Sequence, residues 1–221
     1  PGDIVLINGI EDVGIGVTLT SPSDPAPLPM LKVDEPTLTM NFCVNTSPLA
    51  GREGKFVTSR QIWDRLQKEL QSNVALRVSE TSEDGVFEVM GRGELHLTIL
   101  LENMRREGYE LAVSKPRVVF KDIDGNRHEP IELVTADVEE GHQGSVMEFI
   151  GQRKGELQDM VPDGQGRGRL DYRVPARGLI GFHGEFLNMT RGTGIMSHVF
   201  DDYASWAGNM LKAWLAALLA E

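Results

Sequence analysis

Apolar and polar residues alternate along this chain with two recurring periods. Residues 37–44, TLTMNFCV, put Leu38, Met40, Phe42 and Val44 on one side, the period of a half-buried strand. After the loop SPLAGREGKF, the apolar spacing lengthens to that of a helix, with Ile62, Trp63, Leu66 and Leu70 on one stripe. Thr58 and Gln61 stand three apart at its start, where a capping box belongs. Alternation returns in VALRVSE (Val74, Leu76, Val78), and the turn Glu83-Asp84-Gly85 leads into VFEVM, predicting a hairpin. Leu97, Leu100, Leu101 and Met104 then form a second helical stripe. Gly108 is placed to cap it, and YELAV makes a last strand. The predicted order is β-α-β-β-α-β.

The second half repeats this order with unrelated residues. IELVTADV is a strand, and GSVMEFIGQRK is a helix with Val146, Phe149 and Ile150 inward. ELQDM and RLDYRV are strands joined by PDGQGRG, a turn rich in Gly and Asp. In RLDYRV, Leu170, Tyr172 and Val174 share one face, and Arg169, Asp171 and Arg173 share the other. ARGLIGFHGEFLNM is a predicted helix, weakened by its glycines, and GIMSHVF closes the unit. Two consecutive units of this kind predict an α+β protein built from two ferredoxin-like sandwiches.

The stretch GRGELHLTILLENM, residues 91–104, invites a chemical reading. A dinucleotide fingerprint needs a third glycine where His96 stands, and a phosphate loop needs Gly-Lys-Ser/Thr, which the chain lacks. His96 has no His or Cys near it, so a metal site is not expected. Gly91 and Gly93 are expected to ease the sharp turn from strand to helix. The five histidines are scattered, no nucleophile elbow is present, and no catalytic, cofactor or metal residue can be assigned.

Composition narrows the class further. The chain has 221 residues, 40% hydrophobic and 25% charged, as in an ordinary soluble globular protein. One cysteine, Cys43, excludes an internal disulfide framework and suits a reducing, cytoplasmic compartment. No apolar run reaches membrane-spanning length, so no membrane partner is expected. The net charge of −11 argues at first against nucleic acid, but it is unevenly spread. Residues 1–141 carry 14 Lys/Arg against 24 Asp/Glu, whereas 142–192 carry 7 against 6, leaving room for a locally basic face.

Three segments resemble a known superfamily. FEVMGRGELHLTILLENMRREGYEL is similar to the third domain of translational GTPases of the elongation factor G type. PGDIVLINGIEDVGIGVTLT resembles the end of their second domain, a β-barrel, and EPIELVTADVEEGHQGSVMEFIGQRKGELQDM with RLDYRVPARGLIGFHGEFLNMTRGTGIM resembles their fifth. Only KPRVVFKDIDGNRH separates the two sandwiches. That leaves the BipA/TypA and LepA branches, and HQGSVMEFIGQRKG with VPARGLIGFHGEFLNMTRGTG fits the BipA/TypA branch better. The domains expected on this basis are 1–31 (last barrel strands), 32–115 and 116–200 (ferredoxin-like), and 201–221, a helical tail unlike the family. The opening without Met, directly on a strand-like pattern, is that expected of a piece of a longer protein.

The resemblance implies a cytoplasmic, ribosome-binding region of a GTPase acting in large-subunit assembly and in translation under stress or cold. It implies GTP and magnesium for the parent protein and neither for this chain, with large-subunit RNA, stalk-base proteins and transfer RNA as partners. The alternatives are a LepA-like factor and a regulatory pair of small-ligand-binding domains. The candidate RNA contacts are Arg153, Lys154, Arg167, Arg169 and Arg173, with Arg52, Lys55 and Arg60 as a second group. Arg153, Lys154 and Arg169 are not expected in a core.

Overall fold

The computed structural model describes residues 2–10, 15–29 and 35–210. It contains two compact units, divided near Ser114, each built on one sheet.

The first unit runs β1 (Leu38–Val44), α1 (Ser59–Leu70), β2 (Arg77–Glu80), β3 (Val86–Gly91), α2 (Glu94–Glu107) and β4 (Leu111–Val113). The strands are ordered β2-β3-β1-β4, the ferredoxin-like arrangement, and β5 (Arg117–Val118) also pairs with β1. The capping box forms as expected: Thr58 Oγ1 accepts from the Gln61 amide, and Gln61 Oε1 accepts from the Thr58 amide. α1 buries Ile62 and Leu66, and α2 buries Leu97, Leu100 and Met104, together with Phe42, Phe87 and Val89 of the strands. Each such side chain contributes roughly 1.5–3 kcal/mol by leaving water. Gly108 ends α2 in the left-handed conformation, φ 93°.

The second unit runs β6 (Lys121–Ile123), β7 (Asn126–Glu139), α3 (Glu140–Gln152), β8 (Glu156–Pro162), β9 (Arg167–Pro175), α4 (Ala176–Leu179), α5 (Phe182–Met189) and β10 (Ile195–Ser205). Its antiparallel sheet is ordered β10-β7-β9-β8, with β6 added to β7 as a hairpin. Val134, Ala136 and Val138 of β7 and Leu170, Tyr172 and Val174 of β9 pack with Val146, Ile150, Phe182 and Phe186 of the helices. The sorting expected in RLDYRV is therefore the one observed.

Three features differ from the sequence-based expectation. Residues 176–189 form two helices rather than one, because Gly181 takes φ 70° and breaks the hydrogen-bond ladder. β10 runs on to Ser205, past the expected end of the sandwich at residue 200, because β7 is long enough to pair with it as far as His128. The expected barrel strands do not form: residues 2–10 and 15–29 contain only an isolated Ser21–Asp24 bridge, and Ile4, Leu6, Ile7, Val17 and Leu19 are exposed. A strand needs a neighbour for its N–H and C=O groups, and these residues have none among the described residues. The helical stripe expected at Leu211, Trp214, Leu215 and Leu218 lies outside the described residues.

Just beyond β10 the chain is clasped. The carboxylate of Glu129, fully buried, pairs with the Arg177 guanidinium and accepts from the Ala207 amide at 2.8 Å. Arg177 also donates to the Gly208 carbonyl at 2.6 Å.

Candidate nucleic-acid interface

The glycine corner at 91–96 is a structural tie. A Cβ on Gly91 would stand 2.9 Å from Leu97 Cδ2 and 3.0 Å from His96 Nδ1, so any side chain there would have to displace the buried Leu97 or the His96 ring. Gly93 is extended, φ −178°, and faces open space, so only the first of the two glycines is required. His96 Nδ1 accepts from the Arg92 amide, and its Nε2 meets the Asn73 side chain, which also donates to Glu69. Burial, then the charge of Arg92, lowers the His96 pKa, with Glu69 opposing.

The loop between β1 and α1 carries Arg52 and Lys55, and Arg60 lies in the first turn of α1; all three are exposed. Glu110 organises this loop. Its two carboxylate oxygens accept from the amides of Gly51, Glu53 and Gly54 at 3.0–3.1 Å and from Asn45 Nδ2 at 2.6 Å. These bonds, led by those from the Gly51 and Glu53 amides, hold its carboxyl below the usual range. The glycine-rich loop thus surrounds a carboxylate of its own chain, leaving Arg52 and Lys55 pointing outward from a fixed backbone. Arg60 pairs with Asp64 at 3.9 Å, with both side chains largely exposed.

In the second unit the five candidate cations fare differently. Arg153, the residue after α3, is buried, which corrects the expectation that it lies outside a core. Its guanidinium carbon lies 3.6 Å from the Phe149 ring centroid and 5.4 Å from that of Phe182, and Nη2 is 3.6 Å from Glu185. A planar, weakly hydrated cation stacks on aromatic faces, which is why this arginine turns inward. Burial lowers its pKa and Glu185 opposes that. Lys154 beside it is exposed.

Arg167, Arg169 and Arg173 project from the outer face of the sheet, opposite Glu139, Asp137 and Leu133 of β7. Arg167 binds Asp137 at 2.6 Å and donates to the Asp137 and Thr193 carbonyls, so it ties β7 and β9 to the turn before β10. Asp163 sets up that position by accepting from the Gln165 and Arg167 amides, which hold its carboxyl below the usual range. Arg169 pairs with Asp171 at 3.0 Å and Arg173 with Asp201 at 2.8 Å. Burial alone would raise the Asp171 pKa; Thr135 and Arg169 together outweigh it and lower it. The structure therefore gathers these three arginines on one face, each with a carboxylate, and separates Arg153 from them.

Sequence reasoning missed Glu129 and Arg177. A charged residue carries no pattern that announces burial, and the alternation of β7, which turns Val134, Ala136 and Val138 inward, would have placed Glu129 on the opposite face. It also missed the sandwich of Arg127 between Phe120 (3.6 Å) and Trp206 (5.7 Å), which joins residues 86 positions apart. Among the described residues no cluster of His, Cys, Asp and Glu could hold a metal ion.

Residues 126–213, which include β7 to β10 and the helices between them, match the family described as Elongation factor G C-terminus. Over 202 residues, 91% of this chain, it is 61% identical to the large ribosomal subunit assembly factor BipA of Salmonella typhimurium. Over the same length it is 62% identical to the protein of that name from Haemophilus influenzae and 57% to that of Bacillus subtilis. In each case the chain spans about a third of the relative's own length. The matched family covers the second unit alone, whereas these relatives extend across both, so the chain belongs to the BipA/TypA family of the elongation factor G superfamily.

Proposed function

We propose that this chain is the ribosome-docking part of a BipA-like translational GTPase, serving large-subunit assembly and translation under stress or low temperature. The observation that carries the proposal is the 57–62% identity, over both units, to proteins named as assembly factors of the large ribosomal subunit. In this proposal GTP and magnesium act in the parent protein, in the cytoplasm, and the chain contributes binding rather than catalysis. The partners are the large subunit's RNA and stalk-base proteins, and transfer RNA for the parent.

The RNA contacts fall on Arg52, Lys55 and Arg60, with Lys154 in the second unit. These are exposed and reach solvent from fixed backbone. Arg169 and Arg173 join them only by exchanging a carboxylate for a phosphate, which exposed pairs permit at a cost of about 1 kcal/mol or less. Phosphate contacts release counterions, so binding weakens steeply with salt.

The test is sedimentation with large subunits at several salt concentrations. Changing Arg52, Lys55 and Arg60 to Glu together is expected to weaken binding at least tenfold and to flatten the salt slope by about three units. Circular dichroism should be unchanged. Absence of wild-type binding to large subunits overturns the proposal; wild-type binding by the triple variant removes the loop and the start of α1 from the RNA footprint.

A further inference from the structure

The outer face of the second sheet carries more acids than bases. Its three arginines are outnumbered by six carboxylates: Asp137, Glu139, Glu156, Asp159, Asp171 and Asp201. Register places the first five on that face, and the ion pair with Arg173 places the sixth. Among these charges lie large apolar side chains open to water. Val199 (62% exposed) stands directly opposite Leu133 (40%), Ile195 (69%) lies two pleats along β10, and Val161 (49%) is across the sheet on β8. The helices cover only the opposite face, where Val134, Ala136, Leu170 and Tyr172 are buried. Leu133 and Val199 form an apolar pair open to water, with Ile195 and Val161 apart from it at the two edges of the sheet, and apolar side chains set among charges in this way suit an interaction site.

Charge decides the occupant. A surplus of three negative charges repels phosphate, so RNA is disfavoured. A second copy of the same face would set two such surpluses against each other. A protein surface carrying Lys and Arg around an apolar centre satisfies both features, since complementary potentials select and steer the partner. We infer that this sheet face docks a basic, partly apolar protein surface of the large ribosomal subunit. The inference rests on the ribosome-docking proposal and divides its labour: RNA is met by the exposed cations of the first unit and Lys154, protein by this sheet.

The experiment places a photoreactive residue at Val199 of this chain and irradiates it with purified large subunits at a salt concentration where the wild type sediments with them. The expected product is an adduct destroyed by protease and resistant to ribonuclease. An adduct to ribosomal RNA, to a second copy or to another part of this chain overturns the inference, as does the lack of any adduct in a sedimenting complex. In parallel, Glu156→Lys with Asp159→Lys, both exposed on the edge strand β8 and outside the Arg167, Arg169 and Arg173 pairs, should weaken binding to intact subunits about tenfold. The same variant should bind protein-free large-subunit RNA no less tightly than the wild type. Unchanged binding to intact subunits, or an equal loss on bare RNA, overturns the inference. Failure of the wild type to sediment with subunits is seen before any variant is made and strikes the ribosome-docking proposal instead.

Discussion

Single residues in this chain show how chemistry outranks position. Arg153 lies where a helix-terminal cation is expected to be solvated, yet two phenyl rings draw its guanidinium inward. Arg153→Glu should therefore destabilise the second unit by about 3 kcal/mol or more, because a carboxylate would be buried beside Glu185. Arg153→Met should be close to neutral, since an apolar replacement of a buried ion often is. Thermal melts of the two variants check the contrast; equal melting temperatures would contradict it. His96 gives a pH signature. Its pKa is lowered in the folded state, so the unfolded chain binds the extra proton, and stability falls as pH drops below the ordinary value of 6.5. Urea midpoints at pH 8, 6.5 and 5 should show this fall in the wild type and a smaller one in His96→Gln.

Elements depend on hydrogen bonds that sequence patterns do not reveal. The loop before α1 keeps its shape through Glu110, so Glu110→Ala should raise hydrogen exchange at the Gly51, Glu53 and Gly54 amides and leave α1 protected. Because the Glu110 carboxyl is held below its usual range, the protection belongs above the ordinary carboxyl pKa and is lost as pH falls through the folded value. Most elements were legible in the sequence. Alternation marked β1, β2 and β9, and the capping box marked α1, since each pattern can be read from residues near in sequence. What escaped has a common cause: β6, the extension of β10 and the burial of Glu129 all depend on β7, whose partners come from as far as 78 residues away. Of the candidate site, the residue types were legible and their electrostatic setting was not. Arg167, Arg169 and Arg173 read as a basic stripe on one strand; Asp171 of the same strand pairs with Arg169, and the neighbouring strands supply Asp137 and Asp201 for the other two.

For the whole molecule, the net charge of −11 sets a limit on how it meets a polyanion. The salt dependence of binding should correspond to a handful of phosphates, so that removing the few exposed cations abolishes most of it. A steep slope surviving in the variant with Arg52, Lys55 and Arg60 reversed would contradict that. The clasp formed by Glu129 and Arg177 belongs to this scale too. Removing the Glu129 carboxylate leaves the partly buried Arg177 guanidinium without its acid, so Glu129→Ala should cost about 3 kcal/mol and free residues 206–208. The same anchoring makes the end of β10 a mechanical reference point. A spectroscopic probe fixed at Trp206 or Ala207 would turn with the second unit as one body instead of swinging on a tether. Its polarisation would report how that unit is oriented in the proposed complex with the ribosome.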